Sequence, residues 1–275
     1  MTDDADASEP GVPQDAEGPP TRQGADHAVK RPKIDKVKAD ESFTIPEGHE
    51  RGEVMTFGQR VVYALTWILS VSIAKTYFRA RVTGRENVPK TGAFIVSPVH
   101  RSNLDSPMIA LVTRRRMRYM GKESLWKSRF GAWYFTAAGG FPVERASADR
   151  EALKACLDCL ERGEPLVLFP EGTRQFGPEI SEMFEGPAWL AGRGQVPILP
   201  VGIGGSERAM GKGMKVPRPT RMTLVIGAPI YPSKPNEKGR VPRPAVRALT
   251  VELRDALQAL FDEAQLLAGT PNRHD

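Results

Sequence analysis

Apolar positions change their period several times along the chain, and each change predicts an element. Ala93-Phe-Ile-Val-Ser97 is a short apolar run, the mark of a strand buried on both faces. Residues 106–116 follow at helical spacing, with Pro107 suited to a first turn. Residues 118–120 read as a short strand, 126–138 as an aromatic-rich helix and 141–143 as extended chain. Ala152, Leu153, Cys156, Leu157 and Leu160 then share a helix face; Ser147 is placed to cap this helix and Gly163 to stop it. Further strands are predicted at 166–169, 198–203 and 222–226, a short helix at 187–193 and a long amphipathic helix at 246–267. Strands alternating with helices imply an α/β fold, a largely parallel sheet flanked by helices.

Upstream of residue 84 the pattern differs. Residues 55–80 are densely apolar, yet the uncharged run between Arg60 and Lys75 is 14 residues long, 61–74. A spanning helix needs about 20. Two readings stay open: a helix packed on the body, or one lying in a membrane interface. Trp67 and Tyr77, with Arg60, Lys75, Arg79 and Arg81 around them, suit the interface. Residues 1–42 are rich in Pro, Gly, Asp and Ala and hold too few large apolar side chains to offset their ordering entropy. The expected organisation is a disordered tail at 1–42, an N-terminal membrane-associated helical segment at 43–83, and an α/β domain at 84–275 that includes the last helix.

Charge narrows the partners. The formal net charge is +6. The first 20 residues carry only acids among their charged groups, so the rest is more basic still. A basic body implies an anionic partner: nucleic acid, an anionic membrane or a phosphorylated substrate. The basic stretch Lys30-Arg-Pro-Lys-Ile-Asp-Lys-Val-Lys38 is either a solvated tail or attracted to an anionic bilayer. The cluster Arg114-Arg-Arg-Met-Arg118 closes a predicted helix, where cations suit the dipole, and does not by itself call for nucleic acid. The two cysteines, Cys156 and Cys159, lie within a helical pattern and read as packing thiols, not as a redox or metal pair. No secretory signal is read, so a reducing cytoplasm is the expected compartment.

Two segments carry candidate chemistry. In His100-Arg-Ser-Asn-Leu-Asp105 a histidine follows a strand and an aspartate opens a helix. Residues five apart do not share a helix face, so the pair meets only if the chain turns between them. A carboxylate on one imidazole nitrogen fixes the tautomer and leaves the other nitrogen to act as general base. In Phe169-Pro-Glu-Gly-Thr-Arg174 another strand ends in a glycine loop and an arginine suited to phosphate. Gly139-Gly-Phe-Pro-Val-Glu-Arg145 and Met120-Gly-Lys-Glu123 put Arg145 and Lys122 after further extended segments. In a parallel sheet all of these lie beyond the strand C-termini, where such folds bind ligands.

These blocks, with Val196-Pro-Ile-Leu-Pro-Val201, make residues 84–231 resemble the 1-acyl-sn-glycerol-3-phosphate (lysophosphatidate) acyltransferase family. The blocks occur in the family's order, and Phe-Pro-Glu-Gly-Thr-Arg is highly specific. The resemblance implies that His100 is the general base and Asp105 its partner. It implies that Arg145, Arg174 and Lys122 bind phosphate, that Glu171 and Gly172 contact the acceptor, and that Thr173 belongs with the substrate-binding residues. It implies acyl transfer from an acyl-CoA or acyl-carrier-protein thioester to the hydroxyl of 1-acyl-glycerol 3-phosphate, giving phosphatidic acid, with no metal and no cofactor. The expected partners are the lysophospholipid acceptor, the acyl thioester and an anionic membrane surface, with no nucleic acid. The expected place is the cytoplasmic face of the membrane, peripheral or monotopic. Alternatives are acylation of glycerol 3-phosphate or another lysophospholipid, or a non-catalytic lipid-binding membrane protein. Val99, Pro142, Gln175 and Glu185 depart from the common pattern, and Glu185, where Lys is frequent, touches the acceptor contacts.

Overall fold

The computed structural model describes residues 55–143, 149–237 and 241–274, all within one compact unit, Ile45–Asp275. The expected tail at 1–42, with its basic stretch, lies outside the described residues. The helix α1, Phe57–Thr76, opens the described chain. Thr56 and Gln59 satisfy each other's backbone N–H groups at its start, so two of its free donors are paired.

The body is a seven-stranded sheet in the order β1-β7-β6-β2-β5-β3-β4. Its strands are β1 Arg81–Thr83, β2 Ile95–Pro98, β3 Arg118–Lys122, β4 Gly140–Val143, β5 Leu166–Val167, β6 Ile198–Gly204 and β7 Thr223–Ile226. Among the described residues, β6 pairs with β7 antiparallel and the other named strand pairs run parallel. Every residue of β2, β6 and β7 is buried, odd and even positions alike. Both faces of the sheet centre are therefore covered, which is why these strands read as apolar runs.

Several boundaries moved. The helix expected at 106–116 is only α2, Asp105–Ile109, because the chain turns away after Ala110 and the Arg115 guanidinium bonds the carbonyls of Pro89 and Gly163. Arg81–Thr83, expected with the N-terminal helical segment, is instead an edge strand paired with β7. The remaining helices are α3 Arg129–Ala137, α4 Asp149–Glu161, α5 Gly186–Gly194, α6 Ser206–Met210 and α7 Arg243–Ala268. Ser147, expected to cap α4, lies outside the described residues.

The C-terminal helix α7 lies along β6 and β7 and buries Val246, Leu249, Leu253, Leu257 and Phe261. Each such side chain contributes about 1.5–3 kcal/mol when fully buried. The fit is close enough to restrict the sheet. A Cβ on Gly202 would fall on the carbonyl of Leu260, so glycine lets the helix backbone rest directly on β6.

Candidate active site

β2 is the pivot of the site. It pairs with β6 on one side and with β5 on the other, in parallel. The loops after β2 and β5 thus leave the same sheet edge side by side, carrying His100 and Glu171.

Asp105 makes the turn that the five-residue spacing requires. Its Oδ2 accepts from the backbone N–H groups of Arg101, at 2.7 Å, and Ser102, at 2.6 Å. The same oxygen meets His100 Nδ1 at 3.0 Å. One carboxylate both folds the loop and holds the imidazole. The contact places the proton on Nδ1 and leaves the Nε2 lone pair open, with no hydrogen-bond partner among the described residues. Asp105 is fully buried, whereas the imidazole keeps 16% of its surface accessible. Phe169 lies against the imidazole, ring centroids 4.1 Å apart, and limits its rotation. A buried carboxylate, a fixed ring and an accessible nitrogen are what a general base requires.

Glu171 sits beneath this loop. Its Oε1 accepts the His100 backbone N–H at 3.0 Å, and both its oxygens take Arg101 Nη1 at 2.8 Å. Both side chains of this pair are fully buried. The Arg101 guanidinium is further tied to the carbonyls of His100, Gly177 and Glu179, and lies 4.8 Å from the Phe261 ring centroid on α7. Glu171, expected at the acceptor, thus turns its carboxylate to Arg101 and the His100 backbone. Arg101 itself escaped the sequence reading. A lone arginine in a loop looks solvated, and two of the three carbonyls that bind it, those of Gly177 and Glu179, lie more than seventy residues further on.

Gly172, Thr173 and Arg174 fall around the rim. Gly172 takes φ +68°, and a Cβ there would strike the ring of Phe184. Thr173 Oγ1 accepts from Gln175 Nε2 at 3.1 Å. Gln175, one of the departures from the family pattern, donates its backbone N–H to the His100 carbonyl at 2.9 Å. Arg174 is half-buried and pairs with no described residue. Lys122 ends β3, two strands from β2, and Arg145 lies outside the described residues. Glu185 pairs with Arg247 at 3.4 Å on the surface.

Other clusters resolve as structure. Arg115 and Arg116 bond backbone carbonyls, and Arg118 is buried near Glu164. Cys156 and Cys159 are free and buried, and burial pushes the Cys156 thiol up to about 12. Among the described residues no three His, Cys, Asp or Glu side chains gather as metal ligands.

A second surface lies on α1. Among the described residues it is the one helix long and apolar enough to cross a membrane, by length and composition. Trp67 Nε1 donates to the Ala110 carbonyl and Tyr63 Oη to that of Arg115, so one side of the helix is fastened to the body. Val61, Leu65, Ile68, Leu69 and Ile73 are exposed on it, and neighbouring α3 adds exposed Phe130.

A family model described as Acyltransferase matches residues 79–204. The chain is 24% identical over 152 residues to the 1-acyl-sn-glycerol-3-phosphate acyltransferase of Bacillus subtilis (strain 168), covering 55% of this chain and 73% of that protein. It is 25% identical over 162 residues to a protein of the same name from Chlamydomonas reinhardtii, covering 58% of this chain but spanning only 48% of that relative. The crystal structure of the 1-acyl-sn-glycerophosphate acyltransferase from Thermotoga maritima superposes with a TM-score of 0.60 at 27% identity, covering 74% of this chain and 79% of that one.

Proposed function

We propose that the chain is an acyltransferase of the family whose model matches residues 79–204, and that it transfers a fatty acyl group from a thioester to the free hydroxyl of 1-acyl-glycerol 3-phosphate, making phosphatidic acid. The observation that carries the mechanism is the 3.0 Å contact between His100 Nδ1 and a buried Asp105 already fixed by two backbone amides.

His100 Nε2 takes the hydroxyl proton as the acceptor oxygen attacks the thioester carbonyl. Asp105 stabilises the imidazolium that forms. Collapse of the tetrahedral intermediate breaks the carbon–sulfur bond, and the departing thiolate takes the proton back from Nε2. The acceptor is itself the nucleophile, so no covalent enzyme intermediate is involved. Glu171 and Arg101 hold the loop in register. Arg174, free of ionic partners among the described residues, takes the acceptor's phosphate; Lys122, the last residue of β3, and Arg145, two residues beyond β4 in the sequence, are assigned to the same phosphate, and Gly172 and Thr173 shape the loop after β5. Holding the phosphate places the hydroxyl against Nε2, and positioning of this kind can supply several kcal/mol of barrier reduction. The donor is an acyl-CoA or acyl-carrier-protein thioester. The exposed apolar row on α1, with Phe130, sets the enzyme into the cytoplasmic face of a membrane as a peripheral or monotopic protein.

The test is acyl transfer by the purified protein against a matrix of donors and phosphorylated acceptors, with product position determined. His100→Ala should lower turnover by about 10²–10⁴-fold with the fold intact. Wild-type turnover in that variant would remove the assignment. A preference for glycerol 3-phosphate would move the acceptor, not the mechanism.

A further inference from the structure

The loop after α6 carries charge that the reading above does not use. Lys212, Lys215, Arg218 and Arg221 stand there with no acid among them, and Arg208 and Glu207 lie within α6 itself. Two contacts fasten the start of this loop to the site. Ser102 Oγ donates to the Met210 carbonyl at 2.6 Å, on the turn between His100 and Asp105. Two residues on, the Lys212 ammonium lies 4.9 Å from the Phe176 ring centroid. Phe176 directly follows Gln175, whose backbone N–H donates to the His100 carbonyl. Lys212 therefore links the two segments that build the site, the loop after β2 and the loop after β5. Its ammonium meets no carboxylate among the described residues, and both Lys212 and the ring are exposed. Contact with an exposed aromatic face is weak, and a phosphate with two charges competes with it readily.

We propose that Lys212 is a further phosphate-binding residue of this site, acting on the same side as Arg174. The inference rests on the acyl-transfer reading. The shared chemistry is a phosphate group, and it has two sources: the acceptor's phosphomonoester, or the phosphates of the thioester donor.

Lys212→Met keeps the apolar stem on Phe176 and removes the charge; Lys212→Arg keeps the charge. With the full chain, the acceptor is varied at saturating donor, then the donor at saturating acceptor. Lys212→Met should raise KM for one phosphorylated substrate by about five- to tenfold at low ionic strength, with kcat nearly unchanged, and Lys212→Arg should restore it. A rise for lysophosphatidate that vanishes with 1-acylglycerol, which lacks the phosphate, assigns the acceptor. A rise for acyl-CoA that vanishes with an N-acetylcysteamine thioester assigns the donor. Unchanged KM for both phosphorylated substrates overturns the proposal, as does a rise that persists without phosphate. Calorimetric binding of glycerol 3-phosphate and of coenzyme A needs no turnover; equal affinities in wild type and Lys212→Met for both ligands also overturn it. Absence of transfer in the wild type counts instead against the acyl-transfer reading.

Discussion

The turn that carries the base and the rim that surrounds it are built on opposite rules. On the turn, the polar groups are densely paired: Asp105 Oδ2 holds three donors, while its buried Oδ1 has none among the described residues, and Arg101 is tied to a carboxylate, three carbonyls and an aromatic face. On the rim, Arg174 and Lys212 have no ionic partner among the described residues. The difference separates two tasks. Positioning a base requires contacts that over-determine its geometry before substrate arrives. Binding an anion requires charges whose partner is missing until the ligand supplies it.

Breaking the inner region should cost most in stability. Glu171→Gln leaves Arg101 buried with its charge uncompensated, and loss of one partner of such a pair costs about 3–5 kcal/mol. Urea unfolding measures this, and replacing Arg101 and Glu171 together by Met should recover part of it. A single-mutant loss below about 1 kcal/mol would mean that water reaches the pair.

Breaking the rim should do the reverse. Arg174→Ala should raise KM for the phosphorylated acceptor about tenfold, the effect of one charge-assisted hydrogen bond, while the unfolding midpoint stays put. A stability loss as large as that of Glu171→Gln would erase the contrast.

The exposed apolar surface of α1 offers a third comparison. Leu65→Glu with Ile68→Glu should reduce sedimentation with anionic vesicles while leaving transfer between short-chain soluble substrates in place. Both side chains are exposed, so their loss does not open the core. Unaltered vesicle binding would place the contact elsewhere.

The smallest effect concerns a histidine on the surface. His274 lies between Glu179, at 2.6 Å, and Asp262, at 3.0 Å. The hydrogen bond to Glu179, supported by Asp262, raises its pKa above the ordinary 6.5. A raised histidine stabilises the fold while protonated, so its contribution is full below 6.5 and fades as pH climbs through the raised value. His274→Ala should lower the melting temperature slightly in mildly acidic buffer and leave it unchanged in alkaline buffer. A loss independent of pH would point to packing.

What the sequence made legible follows from what a pattern can encode. Apolar runs located β2, β6 and β7, because burial on both faces writes itself as continuous hydrophobicity. The three residues of β1 form no run, and the five of α6 no helical period, so both went unseen. The antiparallel course of β7 was hidden too, since direction leaves no mark on composition. At the site, His100 and Asp105 were readable because their partnership is local. Arg101 was not: its environment is assembled from residues 171 to 179 and from Phe261 on α7. Lys212 was hidden for the same reason, since Phe176 and Met210 become neighbours of the base only in the folded sheet.

The contact between Phe261 and Arg101 has a consequence for the order of synthesis. The helix α1 is synthesised before the His100 loop. The aromatic face that closes over Arg101 comes from α7, which is synthesised after both. A nascent chain therefore presents the apolar row of α1 before the His100 loop is braced.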